Sequence, residues 1–534
     1  MSVLTLQTPD FLASPFSKSE SLQTSTSELC FTLLTFALSF LCWKTNLIFD
    51  SIRDFNSLND SISSPFSNLP STKLKRSSNL STTKYYTSNL FSQVLLFLLP
   101  IFLVYTKIDL VFVVNPFLFG YSFGLYRKIS SVVNSNPNLV LKPFPLSDSE
   151  NASKSTVPHI GYLSVYRGTM MILTCFIILA VDFSIFPKRY SKTDLYGISL
   201  MDVGVGSFVF SSGIVGYRLW LKKAQNNNIN PPFISSLINA LKSSSTVFII
   251  GSLRLYLTKM LNYQVAVSEY GVHWNFFFTL GFLDIFVHLI IVHINNYSMF
   301  ILPLMAIYQI LLSFFGLENY ILFAPRVDLI SQNKEGIFSF IGYLCIYFAG
   351  LRVGQEILKS PTTPKKQASS YSSKKAKTLF FIWFSLYLLF LLSTELIGMK
   401  VSRRVVNLPY IVLAIWTNTF ILWVFTIFDQ LVFDFSFLPF LNASPKQSAH
   451  IEDYTILYQK QVPPILHALN YNGLFIFLLA NIFTGLVNLG VRELSHKKLP
   501  MFLPTSYAYL ILTIYLATLI FISLRLASLN IRIR

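Results

Sequence analysis

The segment YRGTMMILTCFIILAVDFSIFPKRYSKTDLYGISLMDVGVG, Tyr166 to Gly206, contains an apolar run of membrane length, a short connector dense in charge, and a second apolar run. Asp182 stands where the first run ends, and Lys188, Arg189, Lys192, Asp194 and Asp202 follow within the same segment. An unbroken apolar run of this length is the signature of a helix that crosses a bilayer. Ionisable groups at its edge cost free energy unless they are hydrated, paired or used in chemistry. The fold reading therefore starts from two spans, and the search for a site starts in the loop that joins them.

The rest of the chain has the same character. Of 534 residues, 53% are hydrophobic and only 12% charged, about half the charged share of a soluble domain, and mean hydropathy is +0.54. Apolar runs near 29–49, 90–106, 109–125, 162–181, 200–220, 236–257, 273–293, 298–316, 336–354, 378–397, 407–428, 467–488 and 505–525 predict thirteen spans. The expected fold is an all-α, polytopic helical bundle in the membrane. Long continuous runs exclude an outer-membrane barrel, whose strands alternate in short segments. Residues 1–28 read as a polar N-terminal segment and 29–534 as one membrane domain. Within it, 355–377 carries six lysines among Ser, Thr and Pro and reads as a disordered cytosolic loop. The Ser/Asn-rich stretch 51–89 reads the same way, and the apolar 429–445 reads as a re-entrant or interfacial piece.

The net charge of +18 is scattered among connectors, with no RNA-module signature, so the bilayer and not nucleic acid is the expected partner. Alternate connectors divide the Lys and Arg residues into about 27 on the C-terminal side and about 15 on the other, which predicts a cytosolic C-terminus. An odd span count then places the N-terminus and the 182–199 loop on the lumenal or exterior side. Cys30, Cys42, Cys175 and Cys345 lie in or beside apolar runs without CxxC spacing, which predicts buried free thiols. The first span is expected to serve as the insertion signal. The sequons at Asn59, Asn79, Asn151, Asn296 and Asn442 are short enough to arise by chance.

No P-loop, GxGxxG, HExxH, GxSxG or His-x4-Asp pattern is present, which removes the usual nucleotide, zinc-peptidase, serine-hydrolase and glycerolipid-acyltransferase sites. Asp284 and His288 share a helix face, but no further ligands complete a metal site. Neither a metal nor a bound cofactor is expected. Arg167 and Asp182 are about 22 Å apart along one helix and mark its opposite ends. Asp182 either caps the helix or pairs with the basic loop, or it acts as a general base beside an oxyanion or phosphate site formed by Lys192, with Arg189 as a second candidate. Pro187 lets the connector fold back toward the helix end. Four other segments set polar groups in or beside apolar helices: SEYGVHWNFFFTL, NKEGIFSFIGY, SRRVVNLPY and NYNGLFIFLLANIFTGLVNLG. Interhelical hydrogen bonding is their simplest use. The 51 phenylalanines suit packing, and equally a cavity for acyl chains.

Taken in order over residues 160 to about 490, these segments resemble the glycosylphosphatidylinositol (GPI) inositol acyltransferase family, which includes the fungal GPI-anchored wall protein transfer protein and mammalian PIG-W. The resemblance implies a multi-spanning enzyme of the endoplasmic reticulum. Its acyl donor is acyl-CoA, and it moves a palmitoyl group to the inositol ring of glucosaminyl-phosphatidylinositol on the lumenal side. Asp182 matches the family's AVDF position, implying the base, and Lys192 matches its SKT position, implying contact with the oxyanion or thioester. Arg189, Asp202, His273, Lys334, Arg403 and Asn407 match further family positions, for which the resemblance implies substrate binding. With no activated Ser or Cys pair in the sequence, direct transfer without an acyl-enzyme is expected. The competing readings are a lipid or small-molecule transporter gated by the 182–202 loop, a non-catalytic subunit of GPI-pathway enzymes, and a His-based acyltransferase using His273.

Overall fold

Among the described residues of the computed structural model, ten helices are long and apolar enough to cross a bilayer, or eleven if one bent pair is a single span. The structure describes residues 24–62, 90–135, 160–225, 232–260, 267–294, 299, 301–358, 368–431, 462–494 and 503–533, and these include no strand. In chain order the principal helices are α1 (Thr26–Ile62), α2 (Leu90–Thr106), α3 (Val111–Ser135), α4 (Gly161–Ala180) and α5 (Leu200–Gln225). There follow α6 (Phe233–Met260), α7 (Phe276–His293), α8 (Ile301–Phe314), α9 (Leu317–Phe323) and α10 (Lys334–Leu358). The last five are α11 (Ala368–Leu391), α12 (Leu408–Leu431), α13 (Pro464–Tyr471), α14 (Gly473–Leu494) and α15 (Thr505–Ser528).

The all-α polytopic bundle stands as expected; among the described residues ten or eleven of the thirteen expected spans meet the length and apolarity of a crossing helix. Every expected span falls on a helix, but α2 is short and interrupted by a π turn at Val94–Leu98. Helix α3 carries Asn115, Pro116, Arg127 and Lys128 and falls outside the crossing set. Helices α8 and α9 form the bent pair, turned by 68° at Gly316, whose φ of 70° a residue with a side chain rarely adopts. Of the expected 355–377 loop, residues 355–358 close α10 and 368–377 open α11. Residues 359–367 lie outside the described residues, as do 63–89, 432–445, most of the polar N-terminal segment and the sequons at Asn79, Asn151, Asn296 and Asn442. Asn59 falls within α1.

Close helix contact depends on small residues, because lipid supplies no hydrophobic drive between helices. A Cβ added to Gly213 of α5 would stand 2.1 Å from the Tyr347 carbonyl of α10. One added to Gly350 of α10 would stand 2.2 Å from the Phe210 carbonyl of α5, and Gly354 meets Ile214 in the same way. Gly350 and Gly354 thus form a GxxxG face against α5. Helix α12 runs through the centre: Tyr410 donates to the Asp202 carbonyl at 2.7 Å, and Tyr166 donates to Asn418 Oδ1 at 2.6 Å. Thr35 of α1 donates to Asn115 of α3 at 2.8 Å. All four cysteines are free and buried or half-buried.

The bundle has two distinguishable ends. Thr24 donates to the Ile198 carbonyl at 3.1 Å, so the start of α1 packs on the connector between α4 and α5. Asn472, just before α14, donates to the Ile531 carbonyl at 2.9 Å. Asn488, about 24 Å further along α14, bonds Asp182. The described parts of the two termini therefore lie at opposite ends.

Candidate active site

Helix α4 stops in a tight turn: Asp182 donates its N–H to the Leu179 carbonyl and Phe183 to the Ala180 carbonyl, both at 3.1 Å. This fixes Asp182 at the helix end with its carboxyl facing inward. The connector that follows is folded because its aromatic residues are buried. Phe186 and Tyr190 are 2% and 0% exposed, with ring centroids 5.6 Å apart. Pro187 opens a single 3-10 turn, Lys188–Tyr190, and Gly197 at φ 137° donates to the Val401 carbonyl at 2.8 Å. The chain is thereby turned back across the end of α4, carrying Lys192 over the bundle interior.

Beneath it lies a cavity of about 590 Å³ walled by α4, α5, α6 and α14, within the range of small-molecule sites. Its body is apolar, with Leu173 and Ile177 of α4, Leu253 of α6 and Leu478 of α14 in the lining. Phe208, Phe276 and Phe477 also line it and pack on one another at 5.7–6.4 Å between centroids. Asp182, Lys192, Arg254 and Glu269 gather at one rim.

Four charges in alternating sign run inward from that rim. Lys192 Nζ meets Glu269 Oε1 at 2.7 Å, Glu269 meets Arg403 at 3.4 Å, and Arg403 meets Asp202 at 2.7 Å. Thr193 completes the series by donating its N–H and hydroxyl to Asp202 Oδ2 at 3.2 and 2.8 Å. Burial opposes the charge on Glu269, but Lys192 and Arg403 outweigh it and hold the carboxyl down at about 2. Asp182 is governed by the opposite balance. Burial pushes its carboxyl up, and the hydrogen bond from Asn488 Nδ2 (2.8 Å) and the charge of Lys192 only partly offset this. An elevated carboxylate in a cavity is a candidate general base.

Asp182 and Lys192 line the same cavity, although each holds a different partner. Each of the other six expected site residues holds partners of its own, and none of them is in the cavity lining. Arg189 turns outward to Glu28 at 2.9 Å and ties the connector to α1. Asp202 and Arg403 are the buried inner pair of the charge series, 1% and 5% exposed. His273 gives its backbone N–H to Asn333 Oδ1 at 2.8 Å, and its ring faces Lys259 at 3.2 Å, outside the cavity lining. Lys334 is buried against the carbonyls of Tyr320 (3.0 Å) and Ala324 at the end of α9. Next to it, Glu335 is fully buried between Arg326 (2.5 Å) and Arg404 (2.7 Å). Asn407 precedes α12 and accepts from the N–H groups of Ser402 and Tyr410 at 3.1 and 3.3 Å.

Glu269, Arg254 and Asn488 belong to the site without having been assigned to it from sequence. A signal for the α14 wall was present: Asn481, Thr484, Gly485 and Asn488 are spaced i, i+3, i+4, i+7 and so share one face of the helix. Glu269 gave no comparable signal, since its partners come from segments 77 residues upstream and 134 downstream.

The fold and this site define a multi-pass helical membrane protein with an apolar chamber capped by ionised side chains at one end of the bundle. The GWT1 family profile matches residues 19–526, and the chain belongs to that family. It is 40% identical over 410 residues to GPI-anchored wall transfer protein 1 of Yarrowia lipolytica, covering 74% of this chain and 78% of the relative. It is 38% identical over 367 residues to the protein of the same name from Saccharomyces cerevisiae, covering 64% and 70%. The phosphatidylinositol-glycan biosynthesis class W protein of Dictyostelium discoideum is 34% identical over 407 residues, covering 70% and 75%.

Proposed function

We propose that this protein acts in GPI-anchor biosynthesis as an acyltransferase, moving a palmitoyl group from acyl-CoA to the inositol ring of glucosaminyl-phosphatidylinositol. The observation that carries the reading is the shared cavity of Asp182 and Lys192, with an apolar body below and cations at the rim. A donor chain lying in that body brings its thioester carbonyl to the rim. Asp182 takes the proton of an inositol hydroxyl, and the oxygen adds to the thioester carbon. The Lys192 ammonium faces the oxygen on which negative charge develops. Collapse breaks the C–S bond, the ester is left on the ring, and the departing CoA sulfur receives the proton held by Asp182. Arg254, on the same rim, is placed for a phosphate of either substrate. No resident cofactor takes part, and the donor chain and acceptor both arrive from or beside the bilayer. The compartment is the endoplasmic-reticulum membrane, with the N-terminus and the Asp182 end lumenal and the C-terminus cytosolic; the described termini lie at opposite ends of the bundle, which supports their being on different sides.

The test uses the purified full chain in liposomes with palmitoyl-CoA and glucosaminyl-phosphatidylinositol. The expected product is acylated on inositol and resists phosphatidylinositol-specific phospholipase. Asp182→Asn keeps the shape and loses the base, so turnover falls by roughly 10²–10⁴-fold with unchanged thermal stability. Full turnover in that variant, or no product from the folded wild type, overturns the reading.

A further inference from the structure

Two glycines in the cavity wall, Gly204 and Gly485, combine open space with a place in the lining. On α5, Gly206, Gly213 and Gly216 are all jammed: an added Cβ would stand 2.6 Å or less from Ala414 or Tyr347. Their small size is explained by helix packing. Gly204, on the same helix, has nothing within 4 Å of such a Cβ, and neither has Gly485 of α14. Both line the cavity. Packing therefore gives no reason for either to lack a side chain, and the space each leaves belongs to the chamber.

Their height in the chamber gives that space a meaning. Gly485 is three residues from Asn488, which holds Asp182, and so about 4.5 Å below the polar rim. Gly204 is two residues from Asp202, the inner end of the rim's charge series. The lining of α4 continues from Asp182 to Met170, about 18 Å along the helix. Below the glycines, α5 and α14 are bridged by Phe208 and Phe477 at 5.7 Å. A chain whose reacting carbonyl sits at the rim runs past the level of the two glycines as it extends along the α4 lining.

We propose that Gly204 and Gly485 determine which acyl chains the protein accepts, by keeping open the neck through which the donor chain enters the chamber. This rests on the acyl-transfer reading above. The donor chain is the occupant because its carbonyl is bonded directly to it. The tails of the acceptor are separated from the reacting hydroxyl by phosphate and glycerol, so they lie away from this neck. A leucine at either position cuts the usable depth from about 18 Å to about one helical turn. Donors whose chains end above the neck are then favoured over palmitoyl.

The experiment compares palmitoyl-, octanoyl- and butyryl-CoA as donors to glucosaminyl-phosphatidylinositol, using the full chain in liposomes. The variants are Gly204→Leu, Gly485→Leu, the graded pair Gly204→Ala and Gly485→Ala, and Gly490→Leu as control. Gly490 is on α14 and equally open, but it is not part of the cavity lining. Since a single methylene misfit in an apolar pocket is worth about tenfold or more, the palmitoyl-to-butyryl ratio of kcat/KM should fall at least that much in each leucine variant. The alanine variants should fall between, and Gly490→Leu should keep the wild-type ratio. If folded leucine variants keep the wild-type donor profile, lose all donors equally, or discriminate only by acceptor tail length, the neck is wrongly assigned while acyl transfer stands. If the wild type transfers no chain from any donor, the acyl-transfer reading itself has failed.

Discussion

Removing the hydrogen bond that Asn488 gives to Asp182 should move the acid limb of the activity profile upward, by an amount the structure allows to be worked out. The bond is 2.8 Å from an amide to a carboxylate, partly buried at the cavity rim. Hydrogen bonds to charged groups contribute about 1.5–3 kcal/mol, and one pH unit corresponds to about 1.36 kcal/mol. Asn488→Ala therefore raises the Asp182 pKa further, by the free energy the lost bond contributed, adding to the rise that burial already causes. A general base works deprotonated, so the limb of kcat/KM against pH shifts to higher pH by the same amount. Below the limb the variant is about tenfold to a hundredfold slower; above the displaced limb it regains the wild-type plateau. Asn488→Asp should displace the limb further, because a second carboxylate opposes ionisation of the first. The assay is initial-rate acyl transfer in liposomes across the pH range, with thermal stability measured in parallel. A variant that is uniformly slow at every pH, or whose limb does not move, would refute the assignment of Asp182 as the base.

Two further outcomes follow from the charge series and the glycine contacts. Glu269→Gln releases Lys192 and leaves Arg403 with one carboxylate, so turnover should fall and thermal stability at pH 7 should drop. The Glu269 carboxyl is held at about 2 against an ordinary 4.5, a depressed value, so its stabilisation is fully present above 4.5 and lost as pH falls toward 2. Thermal midpoints of the wild type should show that loss between pH 4.5 and 2, and the Gln variant should lack this share of it; identical profiles would remove Glu269 from the balance. Gly213→Val places a side chain against the Tyr347 carbonyl, 2.1 Å from its Cβ, where backbone has to move. Overpacking of this kind costs about 1–3 kcal/mol or more, and the folded fraction after detergent extraction and size-exclusion chromatography should fall sharply, whereas wild-type recovery would contradict the α5–α10 contact.

The spans were readable because a bilayer imposes length and apolarity on each helix independently of its neighbours, which is why every expected run fell on a helix. Their number was harder to read. The π turn in α2 and the Asn115–Pro116 pair in α3 are local features that hydropathy alone underweights. In the site, Asp182 and Lys192 were legible because charge at the end of a span is costly and stands out. Glu269 and Asn488 were not, because what gives them a role is proximity across 77 and 306 residues of chain. Arg189, Lys334 and Asn407 carry the same kinds of group as a binding site would. Only tertiary structure shows that they are occupied with Glu28, with the end of α9 and with the start of α12.

The partner that Lys192 holds bears directly on how the proposed base works. A direct pair between Asp182 and Lys192 would favour the charged carboxylate and depress its pKa, giving an ionised but feeble base. Instead the ammonium rests on Glu269, which is kept ionised by Arg403 behind it, while Asp182 keeps a neutral amide as its near neighbour. Lys192 still acts on Asp182 through space, but too weakly to cancel the effect of burial. The same residue pair thus provides a cation held in place by Glu269 and a carboxylate whose proton affinity stays high, which are opposite requirements met by giving each its own partner. Asp202 and Arg403 extend the arrangement inward, so that the Lys192–Glu269 pair rests on buried charges held by Thr193 and α12, not on solvent. The charged connector between α4 and α5 is in this sense the outer edge of a network that runs from Lys192 through Glu269 and Arg403 to Asp202, while Asp182 stands beside it on Asn488.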